Sequence, residues 1–392
     1  MAAIDRTKPL SERMALSVMN RYTPDQVRWH YEHGLVLQSI FSLGEQTGNA
    51  DYCRWVKTMY DAKVSGGGIA GYREDEYNLD QINPGKTLFC LYKQYGEEKY
   101  RAAIELLRGQ LRTQPRTKTN GFWHKEIYPY QMWLDGLYMQ GPFYAQYLSE
   151  FGAPGDLDDV IHQFVLMEAK ARDEKTGLLY HAWDESRRQL WANPDTGCSP
   201  HFWGRAVGWY CMALVDTLDF IPETRQKDRA VLLAIANRLM APILKYQDKE
   251  SGLWYQILDQ EQREKNYPET SASSMFVYFL LKMIRIGAVP QMDIPLVKDA
   301  ALKAYEGIMT RVLAEDADGE LHLGGICKVA GLGGKPYRDG TYEYYVNEPV
   351  SVDDFKGVGP FILASLELDA GDYESAGQSA SVHRNAKAVD VV

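Results

Sequence analysis

The stretch Ser274 to Ile286 reads SMFVYFLLKMIRI. Wound as a helix it shows apolar side chains in every direction, so other helices have to surround it. Gly208 to Phe220, Gly357 to Leu368 and Val27 to Leu43 share this character, and Ala230 to Tyr246 is apolar on more than one face, interrupted only by Pro242. Six such nearly apolar helix starts are read, near Gly34, Asp80, Asp135, Arg205, Ser273 and Val358. A chain with six helices of this kind needs six more amphipathic ones to cover them.

A recurring turn marks the unit. Asn120-Gly121-Phe122-Trp123, Thr176-Gly177-Leu178-Leu179-Tyr180, Ser251-Gly252-Leu253-Trp254-Tyr255 and Asp318-Gly319-Glu320-Leu321-His322 each join one helical pattern to the next, with glycines 56, 75 and 67 residues apart. Two copies share Asp-x-x-x-Gly-Leu-x-Tyr, from Asp173 and from Asp248. Stacked helix pairs in such a repeat form either an open solenoid with polar end repeats or a closed ring. The terminal helices are not polar caps, so the prediction is an all-α fold, an (α/α)6 barrel with short β-strands in its rim loops. Leu178 to Trp183 and Leu253 to Leu258 are the segments that read as strands. Residues 1–370 are assigned to one barrel domain, and 371–392 to a polar tail expected to be flexible.

Charge and cysteines narrow the function. Lys and Arg number 43 against 53 Asp and Glu, a net charge of −10, which argues against nucleic acid or an anionic membrane as a partner. No apolar run approaches the roughly eighteen residues of a membrane span, and the N-terminal sequence has no signal-peptide core. Cys53, Cys90, Cys198, Cys211 and Cys327 are scattered and odd in number, without a Cys-x-x-Cys pair. They are read as reduced core residues of a cytoplasmic protein. The eight histidines show no metal-binding spacing and no nucleotide-loop glycine motif occurs, so neither a metal nor an organic cofactor is expected.

In a ring of helix pairs, the segments ahead of the inner helices line the mouth. Here those segments place aromatic rings beside isolated charges, as a sugar site requires. Asp135, in Met132-Trp133-Leu134-Asp135-Gly136, is a carboxyl group among large apolar side chains. It is either a helix N-cap or, if partly desolvated and favouring its neutral form, a general acid. Pro129 keeps Tyr128 out of the helical region, which puts Trp133 and Asp135 at a loop–helix junction where both can face one hollow. Asp80, 55 residues earlier, holds the equivalent rim position and is either a turn carboxylate or a partner in acid–base chemistry on a glycoside. Asn83 is read as the cap of the helix beginning at Pro84. Arg205 and Trp209 share a helix face, as a fork and a stacking ring for a carboxylated sugar, with an internal ion pair as the other reading of Arg205. His181 is structural or catalytic. His124 and Lys125 are further bases for an anion, or in the case of Lys125 merely solvated.

Together, Asn78-Leu79-Asp80, Met132-Trp133-Leu134-Asp135-Gly136, Tyr180-His181-Ala182-Trp183-Asp184, Trp203-Gly204-Arg205-Ala206-Val207-Gly208-Trp209 and Glu269-Thr270-Ser271-Ala272-Ser273 resemble the unsaturated rhamnogalacturonyl hydrolases of glycoside hydrolase family 105. These are (α/α)6 barrels related to the unsaturated glucuronyl hydrolases. The resemblance runs from about Val27 to Leu368 and implies hydration of the C4=C5 double bond of an unsaturated uronyl oligosaccharide, without a cofactor. It implies Asp135 as the acid, Asp80 as the second carboxylate, and Trp133, His181, Arg205 and Trp209 as substrate contacts, with Lys125 in addition. Three other functions remain: an unsaturated glucuronyl hydrolase, a sugar epimerase on a similar barrel, and a non-enzymatic helical-repeat binding protein. Tyr337 to Asn347 is the loop expected to set the preferred uronate.

Overall fold

The computed structural model describes residues 4–152 and 156–371. The polar tail, apart from Gly371, therefore lies outside the described residues. The helices of the first half are α1 (Leu10–Arg21), α2 (Tyr31–Thr47), α3 (Ala50–Asp61), α4 (Gly85–Tyr95), α5 (Glu98–Thr113), α6 (Leu134–Phe151) and α7 (Leu157–Ala171). Those of the second half are α8 (Gly204–Leu218), α9 (Gln226–Lys245), α10 (Thr270–Arg285), α11 (Ile294–Arg311), the short α12 (Tyr342–Val346) and α13 (Phe355–Ala370).

Burial separates them into two rings. All 15 residues of α8 are buried, whereas α9 buries only 7 of 20 along one stripe. The helices α2, α4, α6, α8, α10 and α13 pack in that order, and α13 returns onto α2 to close the inner ring. On its outside α3 covers α2, α5 covers α4, α7 covers α6, α9 covers α8, α11 covers α10 and α1 covers α13. The fold is the (α/α)6 barrel that the sequence predicts. Inner helices approach closely where a side chain is missing: a Cβ on Gly359 would meet Leu35 at 2.6 Å, and one on Gly208 would meet Met275 at 2.8 Å. No helix among the described residues is long and apolar enough to cross a membrane.

The repeated turns are structural. In both close copies the Asp main chain and side chain close the loop: Gly177 N donates to Asp173 O and Gly252 N to Asp248 O, while Thr176 and Ser251 donate to the Asp carboxylates. Gly177 and Gly252 take φ near 77° and 76°, the left-handed region a Cβ disfavours.

Strands are shorter than the alternation suggests. Four antiparallel pairs are present among the described residues: β1 (Val64–Ser65) with β2 (Gly68–Ile69), β3 (Gln131–Trp133) with β4 (Ala182–Asp184), β5 (Leu313–Glu315) with β6 (Leu321–Leu323), and β7 (Ile326–Cys327) with β8 (Val350–Ser351). Leu253 to Leu258 is extended but meets different partners, with bridges Tyr255 to Pro268 and Ile257 to Trp203, so no ladder continues along it. Of Leu178 to Trp183, only Ala182 and Trp183 join a strand. Two helix readings are also corrected. The helix α9 continues through Pro242. Pro84, not Asn83, is the N-cap of α4, and the Asn83 amide is buried without a hydrogen-bond partner.

Candidate active site

The inner helices begin at one end of the barrel, and the loops before them form its mouth. Tyr128-Pro129-Tyr130 turns sharply, with Tyr130 at φ 62°, and launches β3. The pairing of β3 with β4 sets Trp133 opposite Ala182, and Leu134 N donates to His181 O at 3.0 Å. This two-strand clamp brings His181, 46 residues later, beside the first turn of α6. Asp135 is the second residue of that turn.

Asp135 is not a cap. The end of α6 has no side-chain cap hydrogen bond, and Asp135 Oδ2 is buried without a partner. Its carboxyl is 14% exposed, and its Oδ2 lies 3.3 Å from His181 Nε2. On the far side of the ring His181 Nδ1 meets Tyr345 Oη at 2.7 Å. His181 is fully buried, boxed by Trp133 edge-on at 5.4 Å and Trp203 at 4.8 Å.

Asp80 reaches the same mouth by a different route. It lies in a 3-10 turn, Leu79–Gln81, held by the Asn78 side chain accepting from Asp80 N, so the backbone amide is satisfied by Asn78. The Asp80 carboxylate takes Lys125 Nζ at 2.6 Å and lies 3.5 Å from His124 Nε2. Burial opposes its ionisation, yet Lys125, His124 and His30 together outweigh burial and hold the group down at about 2, so Asp80 is an anion at neutral pH. Its position is not equivalent to that of Asp135, since it precedes its helix by five residues while Asp135 lies inside one.

Aromatic rings complete the hollow. Trp133 is flanked by His124 at 4.7 Å and Tyr128 at 4.8 Å. Trp209 lies on Tyr138 at 4.8 Å and meets Tyr31 edge-on at 5.9 Å. Burial raises the Tyr31 phenol well above its usual range, with Asp80, Glu32 and Asp135 pushing the same way and Arg205 opposing.

Two expected anion binders are less available than the sequence reading supposes. Arg205 is 1% exposed, and its fork is engaged inside the protein: Nε donates to Ser271 Oγ at 2.8 Å, and Nη2 reaches Glu269 and the Cys327 carbonyl. A buried guanidinium needs such compensation, and Nη1 alone is left without a partner. His124 brings no charge at neutral pH, because burial takes its imidazole down to about 4 against the pull of Asp80. Lys125 Nζ is taken up by Asp80 at 2.6 Å. The group among the described residues able to gather a metal ion, Asp316, Glu320 and His322, lies on the β5–β6 turn and shares no residue with this hollow.

Sequence reasoning missed Tyr31 and Tyr345. Tyr31 follows Trp29-His30 directly ahead of the first inner helix, the same ring-beside-charge signal read at the other helix starts. Tyr345 lies in the segment singled out as a specificity loop, 164 residues from its partner His181, with no local motif to announce the contact.

A family model described as Glycosyl Hydrolase Family 88 matches residues 10–370. A family 105 glycoside hydrolase of C. acetobutylicum ATCC 824 is 47% identical, with 92% of this chain and 99% of that chain covered at a TM-score of 0.89. The unsaturated rhamnogalacturonyl hydrolase YesR of Bacillus subtilis (strain 168) is 28% identical over 252 residues, 63% of this chain and 68% of that protein. The unsaturated glucuronyl hydrolase of Bacillus sp. GL1, at 15% identity, a TM-score of 0.67 and coverage of 92% and 95%, shares the fold.

Proposed function

The chain belongs to Glycosyl Hydrolase Family 88, and from that premise we propose that this glycosidase removes the unsaturated galacturonyl residue from the non-reducing end of rhamnogalacturonan oligosaccharides. The reaction is hydration of the vinyl ether. Asp135 gives a proton to C4, the C4=C5 electron pair forms the new C–H bond, and positive charge develops at C5, shared with the ring oxygen. Water adds at C5 and returns a proton to Asp135. The hemiketal so formed opens and releases the neighbouring sugar.

The observation that carries this reading is the Asp135 carboxyl itself, half-sheltered with Oδ2 facing His181 Nε2 at 3.3 Å and with no cap bond holding it to the helix end. Asp80, anionic and fixed by Lys125, is the group suited to stabilise the charge developing on the sugar ring. Trp133 and Trp209 supply the walls against which a pyranose face rests, and the Arg205 Nη1 is a single prong toward the uronate carboxylate. Likeness to YesR supports the rhamnose-linked substrate. We further propose residues 1–370 as one catalytic barrel acting in the cytoplasm, a reading supported by five free cysteines.

The test is optical. Lyase-digested pectin absorbs through the conjugated double bond, and the protein should abolish that absorbance. Unsaturated galacturonyl-rhamnose should turn over faster than unsaturated glucuronyl disaccharides; the reverse order would assign the enzyme to glucuronyl substrates, and no loss with either would reject the hydration chemistry.

A further inference from the structure

Tyr345 touches neither Asp135 nor Asp80 in any contact described above, yet it is fully buried with its hydroxyl on the His181 ring. It sits on α12, which is pinned from three sides. Gln256 Nε2 donates to Tyr345 O at 3.0 Å while Gln256 Oε1 accepts from Trp203 Nε1 at 3.0 Å. The Tyr342 hydroxyl donates to the Arg263 and Glu264 carbonyls, and the Tyr344 hydroxyl accepts from Gly331 N. The Tyr345 hydroxyl therefore has a fixed place, and the acceptor within reach of it is His181 Nδ1 at 2.7 Å.

We propose that Tyr345 is a positioning residue that sets the tautomer of His181 and thereby selects which oxygen of Asp135 carries the acidic proton. A buried hydroxyl has to donate. Donating to Nδ1, it leaves the proton of the neutral imidazole on Nε2, which faces Asp135 Oδ2 at 3.3 Å. With Nε2–H directed at Oδ2, the carboxylic proton resides on Oδ1, the oxygen that is not sealed in the protein. When Oδ1 gives its proton to C4, Asp135 becomes an anion and the Nε2–H···Oδ2 contact strengthens to a charge-assisted hydrogen bond. That gain exists only as the proton leaves, so it lowers the barrier and leaves substrate binding untouched. The inference rests on the hydration reading for its catalytic consequence, but the tautomer itself does not depend on any substrate.

The experiment joins ring NMR with kinetics. Nitrogen-15 spectra of the histidine rings, with His181 assigned from the signal missing in His181→Gln, should show Nδ1 unprotonated and Nε2 protonated in the wild type. In Tyr345→Phe the ring should lose that single tautomer, and kcat should fall about tenfold, the scale of one lost orienting hydrogen bond, with KM within about twofold. A wild-type ring protonated on Nδ1 overturns the proposal even if the variant fails to fold, and so does a Tyr345→Phe enzyme with unchanged kcat. Should wild-type protein leave the absorbance of every unsaturated uronide unchanged, the hydration reading falls, and the ring spectrum alone decides the role of Tyr345.

Discussion

Two clusters of buried polar groups lie along the barrel axis, and they are built on opposite terms. At the far end, where the inner helices finish, a cavity of about 230 Å³ is lined by Asp216, Asp219, Lys282, Arg285 and Glu367 among others. Lys282 Nζ takes Asp216 at 2.8 Å and Asp219 at 2.7 Å, the Tyr278 hydroxyl adds a second bond to Asp216, and Arg285 grips both oxygens of Glu367. At the mouth, Asp135 Oδ2, His181 Nε2 and Arg205 Nη1 are buried with no hydrogen-bond partner. The same kind of side chain serves structure where its bonds close on themselves and chemistry where they are left open toward a hollow. Burial and charge alone do not tell the two ends apart; the open bonds do.

Substitutions can break that contrast, and the strongest should be Asp135→Asn. If the open carboxyl is the acid, hydration should fall about 10²- to 10⁴-fold, as for other general acids. Asparagine keeps an oxygen to face His181 Nε2, so the thermal midpoint should hold. An active Asp135→Asn enzyme would remove the mouth from the comparison altogether. Lys282→Met addresses the far end. It strands Asp216 as a buried carboxylate, and urea unfolding should show a loss of about 3–5 kcal/mol, while the folded fraction keeps its kcat. A change in kcat per folded molecule would show that the far end is not merely structural.

Arg205 belongs to both classes, and Arg205→Lys sharpens the line between them. Lysine cannot serve Ser271, Glu269 and the Cys327 carbonyl together, so stability should drop by about 2 kcal/mol. KM for the uronate should rise as well, because the open Nη1 is lost. Destabilisation with an unaltered KM would place Arg205 wholly with the closed networks.

The contrast also explains what the sequence could disclose. Inner helices were legible because α8 and α10 are buried along nearly their whole length, and the terminal helices lack the polar faces an open solenoid would need. Asp135 and His181 were legible through local motifs, since β3–β4 pairing carries a Trp133-x-Asp135 junction to a His181-Ala182 strand start. Bonds between distant segments left no local trace. Arg205 reads as a free fork until Glu269, 64 residues on, is seen to occupy it, and nothing near Tyr345 names His181. Asn83-Pro84 resembles a capped helix start because composition records the residue types and not the direction of the amide.

Lys86 and Gln38 both line the far cavity with a buried polar atom left open, and Lys86, the charged one, tests the rule most gently. It lines the far cavity, is 4% exposed and has no hydrogen-bond partner, its Nζ resting 3.6 Å above the Tyr138 ring. It gets so deep because α4 starts low in the barrel, where a Cβ on Gly85 would strike Phe143, halfway along α6. Burial brings its amine down to about 7, with Asp216 resisting. An unfolded lysine titrates near its ordinary 10.5. Between those two values the unfolded chain holds a proton that the folded chain has released, so the Lys86 contribution to stability rises with pH across that window. Below about pH 7 both states are charged and the whole cost of burial is borne by the fold. Lys86→Met should therefore be more stable than wild type near pH 6.5, by an amount that shrinks steadily toward pH 10, in paired urea titrations. An advantage that does not change with pH would mean that the ammonium is compensated in the cavity. A rise in KM in the same variant would mean that the stack of Tyr138 on Trp209 carries the Lys86 contact up to the mouth, and that one open bond at the far end belongs to the site.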